Sequence, residues 1–287
     1  MNAAARLLRI PTGRAAAIVL ALVLAVAAVS LLWTPFDPRA TDAYATWSAP
    51  SWPHVLGTDQ TGRDIASLLM AGARTTVLVA VGAGLVATIV GVALASLGAL
   101  TARPVREAVA VLIDILIAFP VLLIAMMISA VWGGSLWVVV WSVGIGYGVN
   151  IARVARIELR RLGHADYVLA ARAAGLTPGQ VLVRHLLPGA APVFIVQLSW
   201  SMAAAVLAEA GLSYLGFGAP VTQPSWGLLL SELQAYIAVH PTSVLAPGIA
   251  ITATVLSLNL LGDALREATD PTLGARRRVA HVPEVVA

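Results

Sequence analysis

Three acidic residues lie inside stretches that are otherwise apolar, namely Asp114, Glu209 and Asp263. An ionisable side chain within a bilayer is costly, so it either serves a solute path or pairs with an opposite charge. Asp114 and Asp263 lie near the ends of their stretches, where Arg103 or Arg266 could pair with them and fix helix packing. Glu209 is equally compatible with both roles. Asp114 and Glu209 are therefore the candidates for lining a polar path.

The residues that would support catalysis or a resident metal are missing from the sequence. There is no cysteine, which excludes a thiolate nucleophile and a Cys-based metal site. There is also no lysine, and the usual phosphate-binding loop needs one after its glycines. The histidines are scattered, and neither H-E-x-x-H nor G-x-S-x-G occurs. We therefore expect a non-catalytic chain with no metal or cofactor of its own, so any ATP would bind to another chain.

The composition predicts that these residues are positioned by membrane helices. The chain is 59% hydrophobic and only 11% charged, whereas about a quarter of the residues in a soluble domain are charged. A membrane helix needs about 20 mostly apolar residues. We predict an all-α integral membrane protein with six transmembrane helices. Their predicted ranges are 15–33, 75–100, 107–130, 135–151, 189–212 and 244–265.

The arginines predict the orientation of these helices, because basic residues concentrate in cytoplasmic segments. With the N-terminus inside, 15 of the 18 arginines are cytoplasmic, and only Arg39, Arg63 and Arg74 lie outside. Both termini are then cytoplasmic. The positive charge is thus a mark of membrane orientation, which argues against nucleic-acid binding. The first apolar stretch is longer than that of a usual signal peptide, so we expect it to be retained.

Two long outer segments, 34–72 and 214–243, are expected to be partly helical at the membrane surface. In the first, Asp59 is placed to cap a helix and to pair with Arg63 four residues later. A role in gating or in contacting a partner is the alternative. Within the spans, we interpret Gly144, Gly146 and Gly148 as sites of close helix packing rather than as a nucleotide loop, since no strand precedes them.

The longest cytoplasmic loop carries the signals of two short helices, and we call its residues 166–188 the elbow. Asp166 is a plausible N-cap, and Gly175 is suited to ending the first helix. Thr177 can cap the second helix, with a capping box completed by Gln180. Pro188 is predicted to end that helix just before the fifth span. The pattern fits a rigid lever, although an ordinary well-capped loop would carry the same signals.

The elbow resembles the EAA loop of ABC-importer permeases, whose pattern is Glu-Ala-Ala, three residues, Gly and then Leu-Pro. Ala170, Ala171, Gly175, Leu187 and Pro188 match that pattern. The resemblance implies that this loop contacts a separate ATPase.

The position of the family's glutamate holds Leu169 instead. If that glutamate normally makes a polar contact, another group must make it here. Arg172, Arg184 and His185 are the candidates.

Three further blocks resemble the C-type permease of dipeptide, oligopeptide and nickel importers. They are His54–Val77, Ala208–Glu232 and His240–Pro271, and they occur in the family's order. The resemblance implies the type I ABC-importer permease fold in a bacterial plasma membrane. The expected regions are an N-terminal part (1–74), a core permease domain (75–268, with a coupling loop at 157–188) and a cytoplasmic tail (269–287).

The resemblance also implies partners. They are a B-type permease, two ATPase subunits or domains that bind ATP and Mg, and an extracytoplasmic substrate-binding protein. A di- or oligopeptide is the expected substrate, and nickel or another small solute is the alternative. A stand-alone channel or ion-driven carrier would need no rigid cytoplasmic elbow.

Overall fold

The structure is a computed structural model that describes Leu7 and residues 10–269. Most of the predicted C-terminal tail, with its arginines at 276–278, lies outside the described residues, as do Arg6 and Arg9. The described part forms ten α-helices and no β-strand longer than an isolated bridge. The helices are α1 Pro11–Ser30, α2 Ile65–Leu100, α3 Arg103–Ile117, α4 Val121–Trp132, α5 Leu136–Leu162, α6 Asp166–Ala173, α7 Pro178–Val181, α8 Leu187–Tyr214, α9 Trp226–Gln234 and α10 Pro241–Thr269.

The membrane spans agree with the prediction except for the third. Five continuous helical stretches are long and apolar enough to cross a membrane, and α3 and α4 together would make a sixth. The third span was predicted as one helix over 107–130, but α3 and α4 meet at an angle of 80°. Pro120 lies at this break as the N-cap of α4. Proline has no N–H to donate and disfavours helical backbone in the preceding residue, so the helix ends there.

The core of the fold is formed by α2, α5 and α8, and α2 packs most extensively against α5. Their buried side chains are small or β-branched, including Val79, Ala83, Val143 and Ala205. A Cβ added to Gly148 would lie 2.8 Å from the Cβ of Val90. The predicted role of the span glycines in close helix packing is therefore confirmed.

The helices turn their large apolar side chains outward as well as inward. In the most apolar window of α1 only 17% of the residues are buried, and Ile18, Leu22 and Leu24 are exposed. In water such a surface would be unfavourable, whereas lipid solvates it. The exposed apolar faces thus fit the membrane environment that the composition predicts.

The two outer segments differ in structure. Residues 34–64 form turns without a helix, and the helical part of the predicted segment 34–72 is the start of α2. The second segment contains α9, whose Trp226 indole donates a hydrogen bond of 2.9 Å to the Leu69 carbonyl oxygen. A Cβ on Gly72 would lie 2.6 Å from the same indole. The second segment therefore packs directly on the N-terminal end of α2.

Candidate functional site

The first helix of the elbow, α6, ends as the sequence predicts. Gly175 has a positive φ of 87°, and its N–H donates to the Arg172 carbonyl oxygen at 3.0 Å. The N–H of Leu176 donates to Ala171 O at 3.2 Å, which completes a Schellman motif. The predicted N-cap was wrong by one residue, because Ala165 is the N-cap and Asp166 begins the helix. Asp166 still places a negative charge in the first turn, where the helix dipole favours it.

The second helix, α7, begins with the predicted capping box. The Thr177 hydroxyl accepts a bond from the Gln180 N–H, and the Gln180 side chain accepts one from the Thr177 N–H. The prediction that Pro188 ends this helix was wrong, since helical structure continues from Pro178 to Tyr214. A π-helical turn, Leu182–Leu186, ends two residues before Pro188. In a regular helix the ring of Pro188 would clash with the carbonyl four residues earlier. The elbow is thus continuous with the span α8.

A buried apolar cluster anchors the elbow to the core. Val168 of α6 and Val181 of α7 are almost fully buried. They pack in one cluster with Ala95 of α2, Leu159 of α5 and Ala190 of α8. Side chains packed at protein density move together rather than independently. A displacement of the elbow would therefore be passed to three core helices.

The predicted ATPase-coupling residues lie mostly at the surface of the elbow. Ala171 and His185 are half-buried, and the others are exposed: Leu169, Ala170, Arg172, Gly175, Arg184 and Pro188. Leu169 is 47% exposed, so an apolar side chain occupies the surface position of the family's glutamate.

Sequence reasoning missed Tyr167 on this surface. Its side chain is 49% exposed, and its ring centre lies 6.3 Å from that of His185. Helical spacing could have identified this residue. Tyr167 precedes Ala170 by three residues and Ala171 by four, so all three share one face of the helix.

Asp114 and Asp263, two of the three acidic residues within the apolar stretches, both lie at exposed positions. Asp114 pairs with Arg153 of α5 at 3.1 Å, and about half of each side chain is exposed. The suggested partner Arg103 was wrong, since it pairs with Glu107 of its own helix. Asp263 is exposed and forms no ion pair with another described residue.

Glu209 is fully buried near the C-terminal end of α8. One carboxyl oxygen accepts a 2.7 Å bond from the Ser213 hydroxyl, and the other has no hydrogen-bond partner among the described residues. The helix α9 covers this region, because a Cβ on Gly227 would lie 2.2 Å from the Ala210 carbonyl oxygen. A role of Glu209 in a solute path stays a prediction.

An ion-pair network joins the two outer segments. Arg63 pairs with Asp59 at 2.6 Å, as predicted, and also with Glu232 of α9. Burial alone would lower the pKa of Arg63, but the carboxylates of Glu232 and Asp59 more than offset it, so the pKa is raised. The cap of α2 is Asp64, which accepts from the Ser67 N–H, rather than the predicted Asp59. The contact between Arg63 and Glu232 was not predictable from the sequence, because 169 residues separate the two.

We expect Asp59→Asn to loosen the first outer segment. The buried Asp59 carboxylate accepts bonds from the Thr61 and Arg63 N–H groups and from the Arg63 guanidinium. Losing the charged bond costs about 2 kcal/mol, which corresponds to roughly thirtyfold faster trypsin cleavage through local opening. Asp37→Asn is the control, because Asp37 is exposed. Equal cleavage rates for the two variants would contradict the structural role of Asp59.

The structure is thus a bundle of several spans, and its elbow, which is fixed by helix caps, packs against three core helices. The family described as binding-protein-dependent transport system inner membrane component matches residues 87–274. The chain belongs to this family of ABC-importer permeases. The match includes the elbow, all of α5 and α8, and the last part of α2.

Several curated proteins are similar to this permease along most of its length. A peptide permease protein of Brucella suis is 34% identical over 84% of this chain and 80% of its own. A second Brucella suis protein, a peptide transport system permease, is 35% identical over 89% of this chain and 86% of its own. The nickel transport system permease NikC of Escherichia coli is 31% identical over 91% of this chain and 94% of its own.

A solved structure has the same fold. An inward-facing form of the MetNI methionine ABC transporter matches this permease with a TM-score of 0.59. The match covers 71% of this chain and 97% of that one, at 19% sequence identity. The type I ABC-importer permease fold that the sequence predicts is therefore confirmed.

Proposed function

We propose that this permease is a non-catalytic subunit that forms half of a translocation path and receives ATP-driven motion through its elbow. The observation that carries the proposal is the construction of the elbow. A Schellman motif and a capping box hold its bend, and its buried valines pack against α2, α5 and α8. A segment built in this way can transmit a push from a cytoplasmic partner to the spans.

The surface of the elbow favours an apolar contact with the ATPase. Leu169 is exposed beside Ala170, and Tyr167 adds an aromatic side chain. Aromatic residues are enriched in interface cores. Arg172, Arg184 and His185 are the candidates for the polar part of the contact in place of the family's glutamate.

The partners follow from this role. A second, B-type permease completes the path, and two ATPase subunits or domains bind ATP and Mg on the cytoplasmic side. A substrate-binding protein delivers the solute from outside. The elbow and both termini are cytoplasmic, which agrees with the concentration of arginines near the elbow. The core permease domain spans residues 75–268, with the coupling loop at 157–188.

We propose di- or oligopeptides as the substrate. Two similar proteins from Brucella suis carry peptide permease names at 34% and 35% identity. Nickel is the second candidate, because the similar NikC protein is a nickel permease. The described residues contain no group of three or more His, Asp or Glu side chains that could hold a metal ion.

Purification of the complex tests the assembly. We expect the tagged permease to copurify with a second permease and with ATPases, and to import solute into vesicles only with ATP and the binding protein. Transport by the permease alone without ATP would contradict the proposal. The ligand retained by the copurified binding protein then distinguishes a peptide from nickel.

If Glu209 lines the solute path, we expect Glu209→Gln to slow uptake by about tenfold while leaving the complex assembled. The glutamine oxygen can still accept the bond from Ser213, so the substitution removes the ionisable group without removing the contact. Uptake by the reconstituted complex is the measurement. Ser213→Ala is the control that keeps the acid; it removes the bond to Glu209 and also the bond that the Ser213 oxygen accepts from the Ala219 N–H. Wild-type uptake by Glu209→Gln would assign Glu209 a structural role only.

A further inference from the structure

A basic cavity of about 230 Å³ lies between the elbow, the end of α2 and the start of α3. Four arginines line it, namely Arg106, Arg156, Arg160 and Arg172, together with His164. No acidic side chain lines it. Like charges that converge on one cavity repel each other unless an anion or bulk water compensates them. The cavity is therefore suited to an anion.

Three acidic residues of α3 and α5 are already paired with other arginines, whereas Asp166 of the elbow neither lines the cavity nor forms an ion pair with a described residue. Glu107 pairs with Arg103, and Glu158 pairs with Arg161, at 2.7 and 2.6 Å. Asp114 pairs with Arg153. Within residues 10–269, none of the four cavity arginines forms an ion pair. Their guanidinium groups are thus available to a ligand.

The walls of the cavity locate it at the membrane boundary. Ala95, Gly98 and Ala99 of α2 form one side, and Ala95 also belongs to the buried cluster beneath the elbow. Arg156 is half-buried, whereas the other three arginines are exposed. A site that opens at the end of the spans lies at the level of the lipid headgroups.

The size and chemistry of the cavity fit a phosphate group. A volume of about 230 Å³ corresponds to roughly eight water molecules of 30 Å³ each, which is room for a hydrated phosphate. Guanidinium groups bind phosphate oxygens with two parallel hydrogen bonds. Basic pockets between spans on the cytoplasmic side bind anionic lipid headgroups.

We propose that this cavity binds a phosphate anion, carried either by the headgroup of an anionic phospholipid or by free phosphate. Because Arg172 belongs to α6 and Arg156 to α5, the bound anion would join the elbow to a core span. Neither of the candidate path residues, Asp114 and Glu209, lines this cavity.

Binding to the intact complex tests the proposal. The complex is reconstituted in phosphatidylcholine nanodiscs, and two probes are measured separately, namely phosphatidylglycerol and inorganic phosphate. The test variant is Arg156→Gln with Arg172→Gln. The control is Arg14→Gln with Arg266→Gln, which removes the same charge from two exposed arginines that do not line the cavity and form no ion pair with a described residue.

We expect the wild type and the control to bind one of the probes, and the test variant to bind it about twenty-fivefold more weakly, at about fivefold for each arginine. Binding of phosphatidylglycerol alone identifies the lipid as the source, and binding of inorganic phosphate identifies the free anion. If the wild type binds neither probe, the proposal is overturned. An acidic residue of the ATPase that filled the cavity would give this result. Equal binding by the test variant and the control also overturns it.

Arg156→Lys with Arg172→Lys separates binding from membrane insertion. Lysine keeps the positive charge that orients the spans but loses the planar, two-bond contact with phosphate. We expect this variant to insert normally and to bind the probe more weakly than the wild type. Wild-type affinity in this variant would contradict the phosphate geometry.

Discussion

Gly175→Pro is expected to reduce solute uptake at least tenfold per ATP hydrolysed, while the complex still assembles in the membrane. Gly175 has a φ of 87°, whereas proline is confined to a φ near −65°. The substitution also removes the N–H that donates to Arg172 O. The bend between α6 and α7 cannot then keep its geometry, so ATPase motion no longer reaches α8. The measurement is the ratio of uptake to ATP hydrolysis in reconstituted vesicles.

Two further substitutions make this test specific. Gly175→Ala is expected to have an intermediate effect, because a left-handed backbone costs alanine about 1–2 kcal/mol. Gly179→Ala is the control, since Gly179 lies nearby on α7, has no positive φ and has open space around it. A wild-type ratio of uptake to hydrolysis in the Gly175→Pro complex would contradict the coupling role of the elbow.

Gly148→Val is expected to destabilise the permease by about 3 kcal/mol or more, through the contact between α2 and α5. A Cβ at this position would lie 2.8 Å from the Cβ of Val90 and 3.0 Å from the Ala87 carbonyl oxygen. The second contact is with backbone, which cannot move aside as a side chain can. Overpacking of this kind typically costs 1–3 kcal/mol, and valine adds two methyl groups beyond the Cβ.

The effect of Gly148→Val is measured as the melting temperature and yield of the solubilised complex. Gly248→Val in α10 is the matched control, because a Cβ there would meet no heavy atom within 4 Å. The same substitution in a membrane helix should then leave stability nearly unchanged. Equal melting temperatures of the two variants would show that α2 and α5 do not pack as closely as the structure indicates.

Local signals in the sequence predicted local structure well. The end of α6 at Gly175 and the capping box at Thr177 were both correct, because each depends on residues within one turn. The apolar stretches located the spans for the same reason, since a bilayer requires a continuous apolar run. Proline was harder to interpret. Pro120 breaks its span and Pro188 does not, because the turn before Pro188 widens into a π-helix.

Contacts between distant segments were not predictable from the sequence. Asp114 pairs with Arg153, 39 residues away, and Arg63 pairs with Glu232, 169 residues away. Any of several arginines could have satisfied Asp114, and only the packing of α3 on α5 selects Arg153. The basic cavity is likewise invisible in the sequence, because its arginines come from α3, α5 and α6.

The sequence by itself determined the membrane class, the family and the capped elbow, because these follow from composition, ordered motifs and bonds between near neighbours. The tertiary structure decided that the elbow is continuous with α8 and packs against α2 and α5. It also decided that Glu209 is buried beneath α9. The physical reason is that burial and pairing depend on which helices pack together, and a helix that is apolar on most of its surface does not specify its neighbours by its own pattern.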